Sequence, residues 1–223
     1  MLNPAIFPFI LHFYIAKEIF HRNVDKNSNK DLPRKIVNNH FDAIESIVHI
    51  QNQENEEKFS NLKIKFENEG KVDRYGNATE KLLFHGTSDV SINLIAENNF
   101  SLSALPAERG KVMLFGRGIY FSELPGVSLM YGNMLLLCKV LLGKSQRYYP
   151  NGDVPPEIPD EFDSRIVMKD GLEVVTVVKN PEQILPYCII YLKQDRIVTA
   201  GNMTPQPNNN VNANAIKDTN KQG

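Results

Sequence analysis

Five short apolar runs punctuate the second half of the chain, and they constrain its fold more than any other feature. They are KLLFH (81–85), GIYFS (118–122), MLLLCKVLLG (134–143), LEVVTVV (172–178) and YCIIYL (187–192). Most are continuous or β-branched and bounded by Gly, Pro or polar clusters, as buried strands are. Between the first two runs, DVSINLIAENNF (89–100) sets Ile92, Ile95 and Ala96 on one face of a short helix that ends at Asn98-Asn99. Upstream, residues 54–69 repeat the helical pattern through Phe59, Leu62 and Phe66. Residues 35–50 space Ile36, Val37, His40, Phe41, Ile44 and Ile47 as an amphipathic helix does, and predict one that runs into a short strand. Gly70, Gly76 and Asn77 mark a loop over 70–79, and 101–117 reads as another. The stretch 144–171, with Pro150, Pro155, Pro156 and Pro159, reads as a long loop over the sheet. Strands and helices do not alternate, so the expectation is an α+β fold with a mainly antiparallel sheet and a few flanking helices. No internal repeat is present.

The 223 residues suffice for a sizeable core. A net charge of -1 leaves no global positive field, so nucleic acid is not indicated as a partner. Cys138 and Cys188 both sit in apolar runs and read as reduced core residues of an intracellular protein, cytoplasmic or nuclear, rather than a disulfide framework. With two cysteines and five scattered histidines no paired ligand spacing exists, and no metal site is expected. The N-terminal MLNPAIFPFILHFYIAKEIF is broken by Pro4, Pro8 and His12 and ends at Lys17. It is too short to span a bilayer, and no positive segment precedes it, so it is expected to pack on the domain. Residues 23–34 are polar and Asn/Lys-rich, as linkers are; the Asn-rich C-terminus is expected to be disordered. The organisation expected is therefore an N-terminal segment and linker (1–34), one folded domain (35–195) and a tail (196–223), with nothing that calls for an oligomer.

Several familiar motifs fail on inspection. LLGKS (141–145) has the end of a phosphate loop, but Cys138 stands where the earlier glycine is needed. FGRGIYF carries Gly116-x-Gly118, yet Phe121 occupies the third glycine position and β-formers follow, so it is no dinucleotide fingerprint. Neither a Gly-x-Ser-x-Gly elbow nor a His-Glu-x-x-His pair occurs.

Two segments survive. One is LLFHGTS (82–88), an apolar strand ending in His85-Gly86-Thr87 before a helix; the other is FGRGIYFSELPGVSLMYG (115–132), glycine-rich and then aromatic. Singly, a strand-end histidine and tyrosines such as Tyr120 and Tyr131 are ordinary core or rim residues. In order, however, strand-His-Gly-Thr-helix, Gly-x-Gly-Ile-Tyr-Phe-Ser, Ser-x-x-Tyr, LLLCKVLLG and VVTVVKNPEQILPYCIIYL resemble the catalytic domain of the poly(ADP-ribose) polymerase superfamily, the diphtheria-toxin-like ADP-ribosyltransferases. The resemblance extends over residues 35–193 and implies that family's split antiparallel sheet.

It also implies a reaction: NAD is the substrate, its glycosidic C–N bond breaks through an oxocarbenium-like transition state, nicotinamide leaves and ADP-ribose passes to an acceptor. By resemblance, the Gly86 backbone clamps the nicotinamide carboxamide, Ser128 adds a hydrogen bond to the same amide, and Tyr131 stacks on the ring. His85 holds the adenosine-side ribose with help from Thr87, and Tyr120 lines the nicotinamide-ribose pocket. The family's His-Tyr-Glu triad would end on the strand before Gln183-x-x-Pro186, where the register points to Val175, or to Val174 if the turn is one residue longer. The catalytic set by resemblance is thus His85, Tyr120 and Val175, without the carboxylate. Strand alternation would put Glu173 on the same face as Val175, within reach of the site or solvated at the strand entrance. Arg109 and Arg117 would either touch pyrophosphate or stay as solvated loop charges.

An apolar third position is the pattern of the mono-ADP-ribosylating branch, which implies one ADP-ribose per acceptor, a protein side chain that can belong to the chain itself. The missing glutamate equally suits an inactive module that binds NAD or a protein partner. The blandest alternative is an unrelated α+β domain with coincidental motifs.

Overall fold

The computed structural model describes residues 43–105, 114–150 and 157–193. The expected segments 1–34 and 196–223, the helix expected over 35–42 and Arg109 lie outside these residues. The chain opens with β1 (Ile44–His49), α1 (Gln53–Asn68), β2 (Glu80–Thr87) and α2 (Asp89–Asn98). A short 3-10 turn (Leu102–Ala104), β3 (Ile119–Phe121), α3 (Pro125–Ser128), β4 (Met134–Leu141) and β5 (Ser145–Tyr148) follow. The rest is β6 (Ser164–Lys169), β7 (Leu172–Val178), a 3-10 turn (Pro181–Gln183) and β8 (Ile184–Leu192).

The strands form two four-stranded sheets, ordered β1-β8-β4-β2 and β3-β7-β6-β5. Every pairing is antiparallel except β5 with β6. The α+β expectation with a split, mainly antiparallel sheet is borne out. The two edges that face across the split, β2 and β3, touch through one bridge: Phe84 N–H donates to Ser122 O (2.8 Å) and Ser122 N–H to Phe84 O (2.9 Å). A charged link spans the same split, where Lys81 of β2 bonds Glu123 (2.9 Å) and Glu173 of β7. Burial alone would lower the Lys81 pKa, but the two carboxylates together hold it above its ordinary value. The main core lies between the sheets, with Leu83, Leu136, Cys138 and Ile189 from the first sheet against Phe121, Ile166, Met168 and Val178 from the second.

The helices obey their local signals. Asn52 caps α1 by accepting from Asn55 N–H (3.1 Å), and α1 buries Phe59, Leu62 and Phe66 at helical spacing. Ser88 caps α2 in the same way, accepting from Ser91 N–H (3.2 Å). Asn99 ends α2 with φ 65°, a backbone strain asparagine tolerates, and its Nδ2 donates to Ile184 O (3.0 Å), tying the helix end to β8.

Two expectations are corrected. Residues 144–171 are not one loop, because β5 and β6 lie within them. The short strand expected at the end of 35–50 is Ile44–His49, but it takes in Ile44 and Ile47, which the spacing assigns to the helix. Ile44 and Ile47 satisfy helical spacing, yet pairing with Leu192 and Ile190 of β8 decides the outcome.

Candidate active site

A cavity of about 540 Å³ opens at the split between the sheets. Its walls bring together His85, Gly86, Thr87, Tyr120, Ser128, Tyr131 and Val175, seven positions spread over 91 residues of sequence. Val174 and Glu173 do not line it. Among its described lining residues there is no Asp, Glu, Lys or Arg.

The first sheet supplies the floor. His85 stands near the end of β2, where its ring packs edge-on against Phe100 (4.8 Å between centroids) and tilted against Phe121 (5.5 Å). Its Nδ1 lies 2.8 Å from the Tyr120 backbone oxygen. A carbonyl only accepts, so Nδ1 carries the proton and Nε2 keeps its lone pair. Burial pushes the His85 pKa down to about 4, although part of the ring opens to the cavity. At neutral pH the ring is therefore uncharged, and Nε2 can only accept from a ligand.

Gly86 is set by its neighbours. A Cβ there would sit 1.7 Å from the Ser128 carbonyl oxygen, so no side chain fits between β2 and α3. The β2–β4 register is unbroken, and Phe84 turns its N–H and C=O away from β4 toward Ser122. Two residues on, Gly86 turns its own N–H and C=O to that same outer edge. It therefore offers a donor and an acceptor side by side, the complement of a primary carboxamide. Ser128 follows from α3 with its Oγ donating to Phe84 O (2.9 Å), which leaves the oxygen able to accept. Tyr131 N–H bonds Ser128 O (3.0 Å), and its half-exposed phenol forms the rim.

The second sheet supplies the facing wall. The Tyr120 hydroxyl donates to Gly116 O (2.7 Å) and accepts from Phe115 N–H (2.9 Å), so its oxygen is engaged by the glycine-rich turn and its ring is what remains for a ligand. Burial pushes its pKa up to about 12, which keeps it a phenol at all working pH. Arg117 is exposed, as a loop charge is, and does not line the cavity. Its guanidinium donates to Leu102 O (3.1 Å) and its backbone N–H to Glu157 (2.6 Å), so it straps the turn to the 102–104 wall.

The alternation that would put Glu173 beside Val175 breaks at a bulge. On β6, Val167 pairs with Val175 and Met168 with Glu173, which leaves Val174 as an extra residue on β7. Val174, Val175 and Val177 consequently pack in one cluster with Leu124 and Val127, while Glu173 turns to Lys81 and, at 3.6 Å, to Arg147. The Ser122 hydroxyl holds the bulge by donating to Val174 O (2.7 Å). No sequence signal announces a bulge of this kind.

Comparison with known families settles the lineage. The model of the poly(ADP-ribose) polymerase catalytic domain matches residues 23–161, well over half of the chain. The chain belongs to the poly(ADP-ribose) polymerase catalytic-domain family. No curated protein matches it closely enough to count as a relative. The match runs through every cavity residue named above from His85 to Tyr131 and stops before β6, so Val175 lies beyond it. The reaction class this poly(ADP-ribose) polymerase domain carries by membership is ADP-ribosyl transfer, with NAD as the substrate that class implies.

Proposed function

We propose that this domain transfers a single ADP-ribose unit from NAD to a protein side chain, its own included, and releases nicotinamide. What carries the reading is the pairing of an intact carboxamide-binding edge at Gly86 with a described cavity wall that holds no carboxylate. Nicotinamide seats its amide on the Gly86 N–H and C=O with its ring against Tyr131, and Ser128 accepts from the amide. The neutral His85 accepts a ribose hydroxyl at Nε2, and the Tyr120 ring closes the far side. Nicotinamide leaves neutral, so fixing the donor geometry supplies much of the rate. The ribose gains positive charge as the C–N bond breaks, and Val175 offers no partner for it. The acceptor then brings its own nucleophile, which forms the new bond as its proton passes to water. Without a carboxylate to activate a hydroxyl of bound ADP-ribose, a second unit is not added. Free, buried Cys138 and Cys188 fit a reducing compartment and support an intracellular setting.

The test is incubation of the full chain with labelled NAD, followed by intact mass spectrometry. We expect discrete single adducts, lost in His85→Ala. A ladder of long chains would refute the single-unit step. No adduct, with a nicotinamide-induced rise in melting temperature retained, would favour the second reading, a binding module without turnover. The same uncharged wall favours that reading, since it offers no group to steady the cation.

A further inference from the structure

Arg165 is a charged side chain with 0% exposure, on a strand that the sequence reads as loop. A guanidinium cannot shed its proton, so its burial has to be matched by hydrogen bonds. Its bonds join the glycine-rich turn to two neighbouring segments. Its Nη1 donates to Phe115 O (2.9 Å), its Nη2 to Glu157 O (3.3 Å) and its Nε to Gln146 Oε1 (2.8 Å), while the plane lies over the Tyr148 ring at 5.1 Å. Phe115 is also the residue whose N–H donates to the Tyr120 hydroxyl, and that hydroxyl donates in turn to Gly116 O. Gly116 has φ 99°, which suits glycine alone, and even its absent Cβ would stand 3.3 Å from Arg165 Nη1. Glu157 braces the turn twice, through its carbonyl on Arg165 and its carboxylate on the Arg117 N–H.

We propose that Arg165 is a positioning residue for the cavity: it fixes the Phe115–Gly118 turn and thereby holds Tyr120 against His85. The chain of contacts is continuous. The guanidinium sets the Phe115 carbonyl, the turn sets the Tyr120 phenol, and the Tyr120 carbonyl accepts from His85 Nδ1 and fixes the imidazole tautomer. A planar fork meets Phe115 O, Glu157 O and Gln146 Oε1 from three separate nitrogens, a geometry that the single nitrogen of a lysine does not reproduce. The functional half of this inference rests on the transferase reading; the structural half does not.

The experiment uses the full chain labelled with 3-fluorotyrosine, with the Tyr120 resonance assigned by its loss in Tyr120→Phe. Arg165→Lys keeps the charge but not the fork. Gln146→Leu keeps the guanidinium and removes one of its anchors, so it serves if Arg165→Lys does not fold. In a variant that melts cooperatively, the Tyr120 signal should shift and broaden while those of exposed Tyr75 and Tyr149 stay in place. Nicotinamide affinity should weaken about tenfold in Arg165→Lys, as a displaced wall would cause. An unmoved Tyr120 signal in a folded variant overturns the proposal. A moved signal in a protein whose wild type binds no nicotinamide upholds the positioning role and removes the transferase reading instead.

Discussion

Gly86→Ala should lower the melting temperature by about 10 °C and abolish the stabilisation by nicotinamide that the proposed reading expects of the wild-type protein. The new Cβ would meet backbone atoms, Ser128 O at 1.7 Å and Ser128 C at 2.4 Å, which no rotamer change relieves. α3 must then move away from β2, at a cost of ~3 kcal/mol, the upper range for forcing atoms into a filled space. For a domain of this size each kcal/mol is worth about 2–4 °C. The displacement also carries Tyr131, which hangs from Ser128 O through its own N–H, so on the proposed reading both groups that hold nicotinamide, the Gly86 edge and the Tyr131 ring, part together. Thermal melts with and without nicotinamide measure both effects. A variant that melts like the wild type and still responds to nicotinamide would contradict the close approach.

The second large effect is on acid stability. His85 titrates near 6.5 in an unfolded chain and at about 4 in the folded one. Between those values the unfolded chain binds a proton that the folded chain does not, so stability falls as pH drops from about 6.5 to about 4 and levels off below. Full burial would make the loss ~3 kcal/mol; water in the cavity screens part of the ring, and ~2 kcal/mol is expected. Carboxylates add their own acid dependence, so the comparison is with His85→Asn, whose amide N–H can still donate to the Tyr120 carbonyl but does not titrate. Urea denaturation at intervals from pH 7 to 4 should show the wild type losing ~2 kcal/mol more than the variant. Parallel curves would mean that the imidazole is not held neutral.

How much of this was readable beforehand depends on which interactions write themselves into local pattern. The five apolar runs are all strands in the structure, because a strand buried on both faces needs continuous apolar residues. His85, Gly86, Tyr120, Ser128, Tyr131 and Val175 meet in one cavity, and a motif order rather than any periodicity pointed to them. β6 escaped because SRIVMK is short and carries Ser164 and Arg165, both fully buried. Arginine reads as exposed in any sequence, and acceptors such as the carbonyls of Phe115 and Glu157, 50 and 8 residues away, make its burial tolerable. The bulge at Val174 was equally hidden. It shifts the pairing by one residue, so Glu173 parts company with Val175 through a contact with Lys81 that lies 92 residues distant.

The split between the sheets has a consequence for how such a domain can change. On the proposed reading, the groups that grip the leaving base (Gly86, Ser128 and Tyr131) belong to β2 and the segment beside it, whereas position 175, which decides what happens to the sugar, belongs to the opposite sheet. Donor capture and product length are therefore separable traits, free to drift independently. An inhibitor shaped only to the base-gripping half would be blind to whichever residue stands at 175, and selectivity between chain-building and single-transfer enzymes has to be sought on the far bank of the cleft.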